Sequence, residues 1–262
     1  KIMELNYWTS STCQSASYNE QSGEWTVEAL RDGTPVTLKP KQLVLATGMA
    51  GVAHMPDFPG ASDFKGTLVH SSGHPGSTGY EGKRCVIIGS NNSAHDISAD
   101  LWENGADVTM IQRSSTHVSK ANTLLDLGTK PLYSEDALEN GITTEKADMI
   151  GASVPYRVMA ELQKPVYAEM ARRDKGFYDQ LEKAGFQHDF GDDGSGLFMK
   201  YMRRGSGYYI DVGASQLIID GDIKLKSGQV TSVTLDGVKL DNGEEIPADL
   251  IVCATGYGSM NG

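Results

Sequence analysis

The segment VIIGSNNSAHDISADL, residues 86–101, constrains the fold of this chain more than any other. An apolar run typical of a buried strand leads into Gly89, and a helical pattern follows it as far as Gly105. Residues 106–113 then have strand character again. This strand–turn–helix–strand order predicts a parallel α/β unit that binds a dinucleotide, with the helix N-terminus facing a phosphate.

The turn departs from the G-x-G-x-x-G pattern of such sites. Gly89 supplies the first glycine, which permits the sharp turn, but Asn91 and Ala94 stand where the second and third are expected. Ala94 is small enough for helix and strand to pack closely. Asn enters the left-handed region more readily than most residues, which makes the turn feasible at Asn91. Its side chain would then either crowd the phosphates or hydrogen-bond to them.

The residues around the start of the helix complete a predicted pyrophosphate site. Asn92 and Ser93 lie in its first turn, and Ser90 and Asn91 precede it. Free N–H groups and the helix dipole favour an anion at this position. The alternative is that Asn and Ser only cap the helix in an ordinary strand–turn–helix.

The end of the second strand indicates which nucleotide is bound. NAD sites place Asp or Glu there, on the ribose 2′-hydroxyl, whereas NADP sites use Arg on the 2′-phosphate. This strand ends at Arg113 and Ser114, 24 positions after Gly89, and has no acid at its tip. A guanidinium pairs well with a phosphate dianion, so the sequence predicts NADP. A solvated surface arginine is the alternative.

The rest of the chain predicts further strands and a helical stretch. Residues 1–48 have β character, with a hairpin turn at Asp32-Gly33 and a last strand at 43–46. Residues 49–82 are rich in Gly, Pro and Ser and predict loop. Residues 134–190 are mostly helical in pattern, and Pro165 is expected to kink or split one helix.

A short motif occurs twice. P-x-x-L-V-L-A-T-G ends at Gly48, and P-x-x-L-I-V-C-A-T-G ends at Gly256. The repeat favours two equivalent strand ends in a protein with two nucleotide domains, although two ordinary buried strands remain the alternative. Thr47 and Thr255, with the glycines that follow them, are therefore candidate cofactor-binding residues.

Composition excludes several classes of function. The net charge of −11 argues against general nucleic-acid binding, which needs clustered Lys and Arg. The three cysteines are far apart and form no C-x-x-C, so neither a zinc site nor a dithiol centre is predicted, and no metal site is expected. No apolar run reaches the length of a membrane span, and a cytoplasmic location is the default.

Taken together, these motifs resemble the flavin-containing monooxygenases, most closely the larger bacterial and fungal members. The resemblance rests on FKGTLVH, which is similar to the family's F-x-G-x-x-x-H linker motif and contains Phe64, Gly66 and His70. It also rests on GSNNSAHD, on WENGADVTMIQRSSTHV and on the two A-T-G segments. The family's N-terminal FAD-binding turn is not in the sequence, so we expect an interior fragment of a longer protein.

The resemblance implies an α/β fold of the type with two dinucleotide-binding domains. A Rossmann-like NADP-binding domain would be inserted in a partial FAD domain with a β-meander. The expected limits are residues 1–60 for the partial FAD domain with the first A-T-G strand, 61–82 for a linker, 83–248 for the NADPH domain with a helical insertion at about 115–207, and 249–262 for a return strand into the FAD domain.

The resemblance also implies a reaction. NADPH would reduce FAD, and O₂ would form a flavin C4a-hydroperoxide that oxygenates a small organic substrate. Carried over by motif, the pyrophosphate would lie at Gly89, Asn92 and Ser93, and the 2′-phosphate at Arg113 and Ser114. Thr47 and Thr255 would lie near the domain junction. Neither a catalytic residue nor an oligomeric state is assigned.

One departure and two alternatives remain open. The linker motif usually continues to an aromatic residue where this chain has His74, which leaves the Baeyer–Villiger subgroup open. A non-catalytic NADP-binding module is one alternative function. A pyridine nucleotide–disulfide reductase is another, although the absence of a C-x-x-C motif weighs against it.

Overall fold

The computed structural model describes residues 5–48 and 51–258, and the chain separates into two compact units. The N-terminal unit is Lys1–Ala50 and the C-terminal unit is Gly51–Gly262. The predicted boundary at residue 60 therefore lies inside the C-terminal unit.

The N-terminal unit is an antiparallel meander of three strands in the order β1-β2-β3. Its strands are β1 (Ser11–Asn19), β2 (Glu24–Arg31) and β3 (Thr34–Leu38). Asp32 and Gly33 both have positive φ, 49° and 77°, as the predicted hairpin turn requires. Val27 and Ala29 alternate with more exposed residues along β2 and are buried.

The strand predicted at residues 43–46 is wrong. These residues adopt no regular structure, and Val44 and Leu45 are about 80% exposed. A strand needs a neighbour for its backbone N–H and C=O groups. None of the described strands pairs with this segment, so its apolar composition is not enough to make it a strand.

The C-terminal unit is built on a five-stranded parallel sheet with the order β4-β13-β5-β6-β9. Its strands are β4 (Thr67–His70), β5 (Arg84–Ile88), β6 (Asp107–Gln112), β9 (Lys224–Ser227) and β13 (Leu250–Cys253). The helix α1 (Asn92–Glu103) connects β5 to β6, as predicted. Both faces of this sheet are covered, which explains its continuous apolar strands.

Two separate clusters of buried side chains cover the faces. Leu101 of α1 packs with Ile87 of β5 and with Ile218 of α8 (Ala214–Asp220) on one face. Val86 and Ile111 point to the other face. There they meet a small antiparallel sheet formed by β10 (Val230–Thr234), β11 (Gly237–Leu240) and β12 (Glu245–Pro247).

The expected helical insertion lies between two short strands that pair in parallel, β7 (His117–Lys120) and β8 (Tyr208–Asp211). Its helices are α2 (Ala121–Leu124), α3 (Glu135–Glu139), α4 (Thr144–Ser153), α5 (Tyr156–Arg173), α6 (Lys175–Lys183) and α7 (Gly196–Arg204), with a π-helical turn at Leu125–Thr129. Pro165 does not split α5, which is continuous over 18 residues around it.

The structure corrects two further parts of the predicted organisation. The expected linker at 61–82 contains β4, an edge strand of the parallel sheet. The expected return strand is β13, which lies between β4 and β5 in that sheet and not in a separate domain. Its four residues are all buried, because a strand inside a parallel sheet is covered on both faces. The remaining domain limits stay a prediction.

Among the described residues, each helix is too short or too polar to cross a lipid bilayer.

Candidate active site at the carboxyl edge of the sheet

Because all five strands run in the same direction, their carboxyl ends meet at one edge of the sheet. The Gly89 turn follows β5, Arg113 follows β6, His70 ends β4 and Ala254 follows β13. In open parallel sheets, ligands bind outside the carboxyl ends of the strands. The fold thus brings four of the segments that the sequence analysis singled out to the edge where a nucleotide is expected.

Gly89 is required by both its conformation and its neighbours. Its φ is +129°, and a Cβ atom there would lie 2.5 Å from the carbonyl oxygen of Ala254. Its N–H donates to the carbonyl of Ile111 at 3.0 Å, and the N–H of Ala254 donates to Ile88 at 2.9 Å. The second A-T-G segment therefore packs directly against the turn.

Asn91 does not use the left-handed conformation that its residue type would tolerate. It precedes α1 with φ −97° and ψ −167°, which is extended backbone, and Gly89 alone in this turn has positive φ. Its backbone carbonyl accepts hydrogen bonds from the N–H and the ring Nδ1 of His95, both at 3.1 Å. Its side-chain Oδ1 accepts from the hydroxyl of Thr116 at 3.2 Å.

The other polar residues of the turn differ in what they can offer a ligand. The hydroxyl of Ser90 is buried and forms a hydrogen bond of 2.8 Å with the hydroxyl of Thr116, so it is not free for a ligand. Asn92 Oδ1 accepts from the N–H of Ile210 at 3.2 Å, which fastens the start of α1 to β8. Ser93 is exposed, and its side chain has no hydrogen bond within the part of the chain that the structure describes. Neither Asn92 nor Ser93 caps α1.

Arg113 and Ser114 are exposed at the end of β6, and Arg113 forms no ion pair with any residue in the described ranges. Their loop is held at both ends by the backbone of one residue, Gln187. Before it, the buried side chain of Gln112 donates to the carbonyl of Gln187 at 2.9 Å and accepts from its N–H at 2.8 Å. After it, the N–H of Thr116 donates to the same carbonyl at 3.0 Å. The loop thus presents an unpaired cation on an anchored backbone.

Sequence reasoning missed His95, Gln112 and Thr116. His95 is fully buried, with its ring stacked on Tyr209 at a centroid distance of 3.9 Å. Burial lowers the pKa of His95 to about 4, so the ring is neutral at pH 7. Because Nδ1 faces a carbonyl oxygen, it carries the proton and donates. No sequence motif distinguishes these three positions, because their partners are distant in the chain or belong to the turn geometry.

The three linker-motif residues have structural roles in the sheet. Phe64 packs against the cluster on the face covered by the small antiparallel sheet, and a Cβ atom at Gly66 would collide with the carbonyl of Asp249. Nε2 of His70 lies 2.9 Å from the carbonyl of Gly256, and its Nδ1 accepts from the N–H of Ser72. His70 therefore fastens the end of β4 to the second A-T-G segment.

The two A-T-G segments have different surroundings. Thr255 donates its hydroxyl to the carbonyl of His54, and the carbonyl of Gly256 accepts from the N–H of His54. Thr47 and Gly48 are exposed in the N-terminal unit and follow no strand. A cofactor role for these four residues stays a prediction.

The described cysteines do not provide a dithiol in the C-terminal unit. Cys85 belongs to the cluster on one face of the sheet, and Cys253 to the cluster on the other. Burial raises the pKa of the Cys85 thiol to about 12 and that of the Cys253 thiol to about 11. Both thiols are therefore protonated at neutral pH and poorly nucleophilic.

Comparison with known proteins identifies the family. Residues 17–190 match the family model described as pyridine nucleotide-disulphide oxidoreductase, and the chain belongs to that family. A probable indole-3-pyruvate monooxygenase, YUCCA10 of Arabidopsis thaliana, is 28% identical over 98% of this chain and 59% of its own length. The FAD-containing monooxygenase EthA of Mycolicibacterium smegmatis is 26% identical over 92% of this chain and 48% of its own. The chain thus spans about half the length of these curated relatives.

The fold is shared with solved monooxygenase structures. The structure of cyclohexanone monooxygenase from Rhodococcus sp. Phi1 bound to NADP⁺ aligns with a TM-score of 0.60. The alignment has 16% identity and covers 95% of this chain and 52% of that one. This confirms the predicted α/β fold class with a Rossmann-like parallel sheet.

Proposed function

We propose that this chain carries the NADPH-binding domain of an FAD- and NADPH-dependent monooxygenase that oxygenates a small organic molecule with O₂. The proposal rests on the edge of the sheet where the Gly89 turn and the unpaired Arg113 meet. It is also supported by the monooxygenase relatives, because this chain matches about half the length of each of them. We place the protein in the cytoplasm and assign it no nucleic-acid partner.

The residues at this edge fit a dinucleotide phosphate. The N–H groups of Asn92 and Ser93 open α1 and have no intrahelical acceptor, since the first helical bond is made by His95. Gly89 keeps the backbone close to the neighbouring strand, and Arg113 adds a cation that no described carboxylate neutralises. Bound there, NADPH would supply a hydride, and this chain would bind and orient it.

The N-terminal unit does not fit the pyrophosphate of FAD. Its described residues form three antiparallel strands and no strand–turn–helix, which is the element that such a pyrophosphate requires. In this proposal FAD is a cofactor of the full-length protein, and the chain by itself binds NADP(H) but neither retains FAD nor turns over.

The decisive experiment is calorimetric titration of the chain with NADP⁺ and with NAD⁺. A charge-assisted hydrogen bond is worth about 1.5–3 kcal/mol, so Arg113→Ala should weaken NADP⁺ binding roughly 10–100-fold. NAD⁺ has no 2′-phosphate, and its affinity should change little. Arg157→Ala is the matched control, because Arg157 is also exposed and has no ion pair within the described ranges. Equal losses for both nucleotides would contradict the role of Arg113.

A second variant tests the pyrophosphate part of the site. Ser93→Ala should weaken the binding of both nucleotides, since both contain the pyrophosphate. A lower melting temperature with unchanged affinities would instead favour a purely structural role in α1. A purified chain that is yellow with stoichiometric flavin would show that the turn serves FAD and would overturn the NADP assignment.

A non-catalytic NADP-binding module remains the second candidate, because the unpaired Arg113 and the Gly89 turn fit it equally well. NADPH oxidation by the full-length protein with added FAD distinguishes the two. A disulfide reductase is not favoured, because the two cysteines of the parallel sheet face opposite sides.

A further inference from the structure

Asn91 occupies the position where a dinucleotide-binding turn normally has a glycine, so that the backbone can approach the pyrophosphate. A side chain there obstructs the ligand unless it replaces the lost backbone contact with one of its own. Whether the Asn91 side chain obstructs the pyrophosphate or binds it depends on which of its hydrogen-bonding groups are free.

Both kinds of acceptor on Asn91 are already engaged. The backbone carbonyl accepts from two donors of His95, the N–H and the ring Nδ1–H. The side-chain Oδ1 accepts from Thr116. The side-chain amino group, Nδ2, has no partner among the described residues, and Asn91 is half-buried, not enclosed. Asn91 therefore has side-chain N–H donors that no described residue engages, whereas both of its oxygen atoms already accept hydrogen bonds.

We propose, resting on the proposed nucleotide site, that the Asn91 side-chain amide is a ligand of the dinucleotide pyrophosphate and that Thr116 is the positioning residue that orients it. Donors without competing acceptors suit a phosphate, which has only acceptors at neutral pH. The amide N–H₂ thus takes the place of the close backbone approach that the glycine would allow.

The orientation of the amide follows from the arrangement of hydroxyl groups behind it. Thr116 has one proton, which it donates to Asn91 Oδ1, so the hydroxyl of Ser90 must donate to Thr116. Thr116 is 1% exposed, and its N–H is fixed to Gln187. A buried, anchored donor that faces Oδ1 holds the opposite side of the amide, Nδ2, away from it.

This arrangement also couples the two halves of the site. Thr116 ends the loop that begins at Arg113, and its hydroxyl reaches the turn that begins at Gly89. The backbone N–H of Thr116 anchors the end of the loop, and its hydroxyl orients the Asn91 amide, so only the second role depends on the hydroxyl.

The first test is Asn91→Asp, followed by titration with NADP⁺ and NAD⁺ and by thermal unfolding. The variant keeps an oxygen for Thr116 but replaces the amino group with a second oxygen and a negative charge. We expect both affinities to fall about 10–100-fold, while the melting temperature stays equal or rises, because a carboxylate suits a helix N-terminus. Asn104→Asp, at the other end of α1, adds the same charge and should leave the affinities unchanged.

The second test asks whether Thr116 acts through Asn91. Thr116→Val keeps the shape of the side chain but lacks the hydroxyl, and it should weaken NADP⁺ binding about 3–10-fold. Thr116→Ser keeps the hydroxyl and should retain most of the affinity. In the Asn91→Ala background, Thr116→Val should have little further effect on affinity. A purely structural role for Thr116 would lower the melting temperature of Thr116→Val equally in both backgrounds. The effect of Thr116→Val on NADP⁺ affinity would then also be the same with Asn91 and with Ala at position 91.

The outcomes separate the inference from the function on which it rests. If the unmodified chain binds neither nucleotide, the proposed function fails and the inference fails with it. If the chain binds NADP⁺ and Asn91→Asp binds it equally well, the inference alone is overturned. Additive losses in the Thr116 and Asn91 pair would overturn the positioning role of Thr116.

Discussion

The strands of the two units differ in how many of their faces are covered. In the C-terminal unit, both faces of the parallel sheet have a cluster of buried side chains. In the N-terminal unit, every residue of β1 is exposed, and Val27 and Ala29 are the buried apolar residues of β2. Three strands need a packed face to be stable on their own. The parallel sheet therefore removes more apolar side chains from water than the meander does.

The largest expected difference between the units is their response to acid. All six histidines of the chain follow residue 50, and burial lowers the pKa of His95 and His188 to about 4 and that of His117 to about 3. Between pH 6.5 and about 4, the unfolded chain binds protons that the folded unit excludes. The stability these neutral rings contribute is therefore fully present above pH 6.5 and is lost as the pH falls, at about 1.4 kcal/mol per pH unit for each histidine.

Urea unfolding at pH 7.5, 6.5 and 5.5 measures this effect. The tryptophans report separately, because Trp102 lies in the C-terminal unit and Trp8 and Trp25 lie in the N-terminal one. In Trp-to-Phe variants that retain a single tryptophan, the fluorescence follows the unfolding of the one unit that contains it. A free energy of unfolding that falls equally in both units would contradict the assignment of the acid response to the buried histidines.

A smaller difference is expected from deleting one core side chain in each unit. Leu101 is fully buried between α1 and the sheet, so Leu101→Ala should lower the free energy of unfolding by about 2–5 kcal/mol. Val27→Ala should cost about 1–2 kcal/mol, because fewer methyl groups are lost from a thinner layer. Urea titrations with the same reporters give both values. Equal costs would mean that the meander has a cover as complete as that of the parallel sheet.

The smallest effect concerns residues 5–10, which precede β1. The guanidinium of Arg31 lies 4.4 Å from the ring centroid of Trp8, which is a cation–π contact at an exposed site. Arg31→Ala should destabilise the N-terminal unit by about 0.5–1 kcal/mol, and Arg31→Lys, which keeps the cation, by less. Trp8 fluorescence during urea unfolding measures it. Identical urea-unfolding curves for Arg31→Ala and Arg31→Lys would show that the positive charge does not stabilise the contact with Trp8.

Much of the fold and part of the site could be predicted from the sequence. The strand–turn–helix–strand at 83–113 has local signals throughout: an apolar run, a glycine and helical periodicity. The hairpin at Asp32-Gly33 is equally local, because it depends on two residues that tolerate positive φ. The exposed position of Arg113 follows from the end of the strand before it.

Other features required contacts that the sequence pattern does not contain. Residues 43–46 and β13 have nearly the same motif, but only β13 has neighbouring strands on both sides. Residue type leaves the conformation of Asn91 open, and the structure has it extended, with Gly89 providing the positive φ of the turn. Whether a segment is a strand depends on its partners, and a one-dimensional pattern does not name them.

By itself, the sequence determined the class of the fold, the turn at Gly89 and the cation that follows β6, because each depends on residues adjacent in the chain. Tertiary structure alone decided which atoms of the turn are free. The acceptors of Asn91 are occupied by His95, one helical turn later, and by Thr116, which reaches the turn from the next strand end. Hydrogen bonds are short and directional, so a donor 25 positions away acts on Asn91 only after the parallel sheet has brought the two strand ends together.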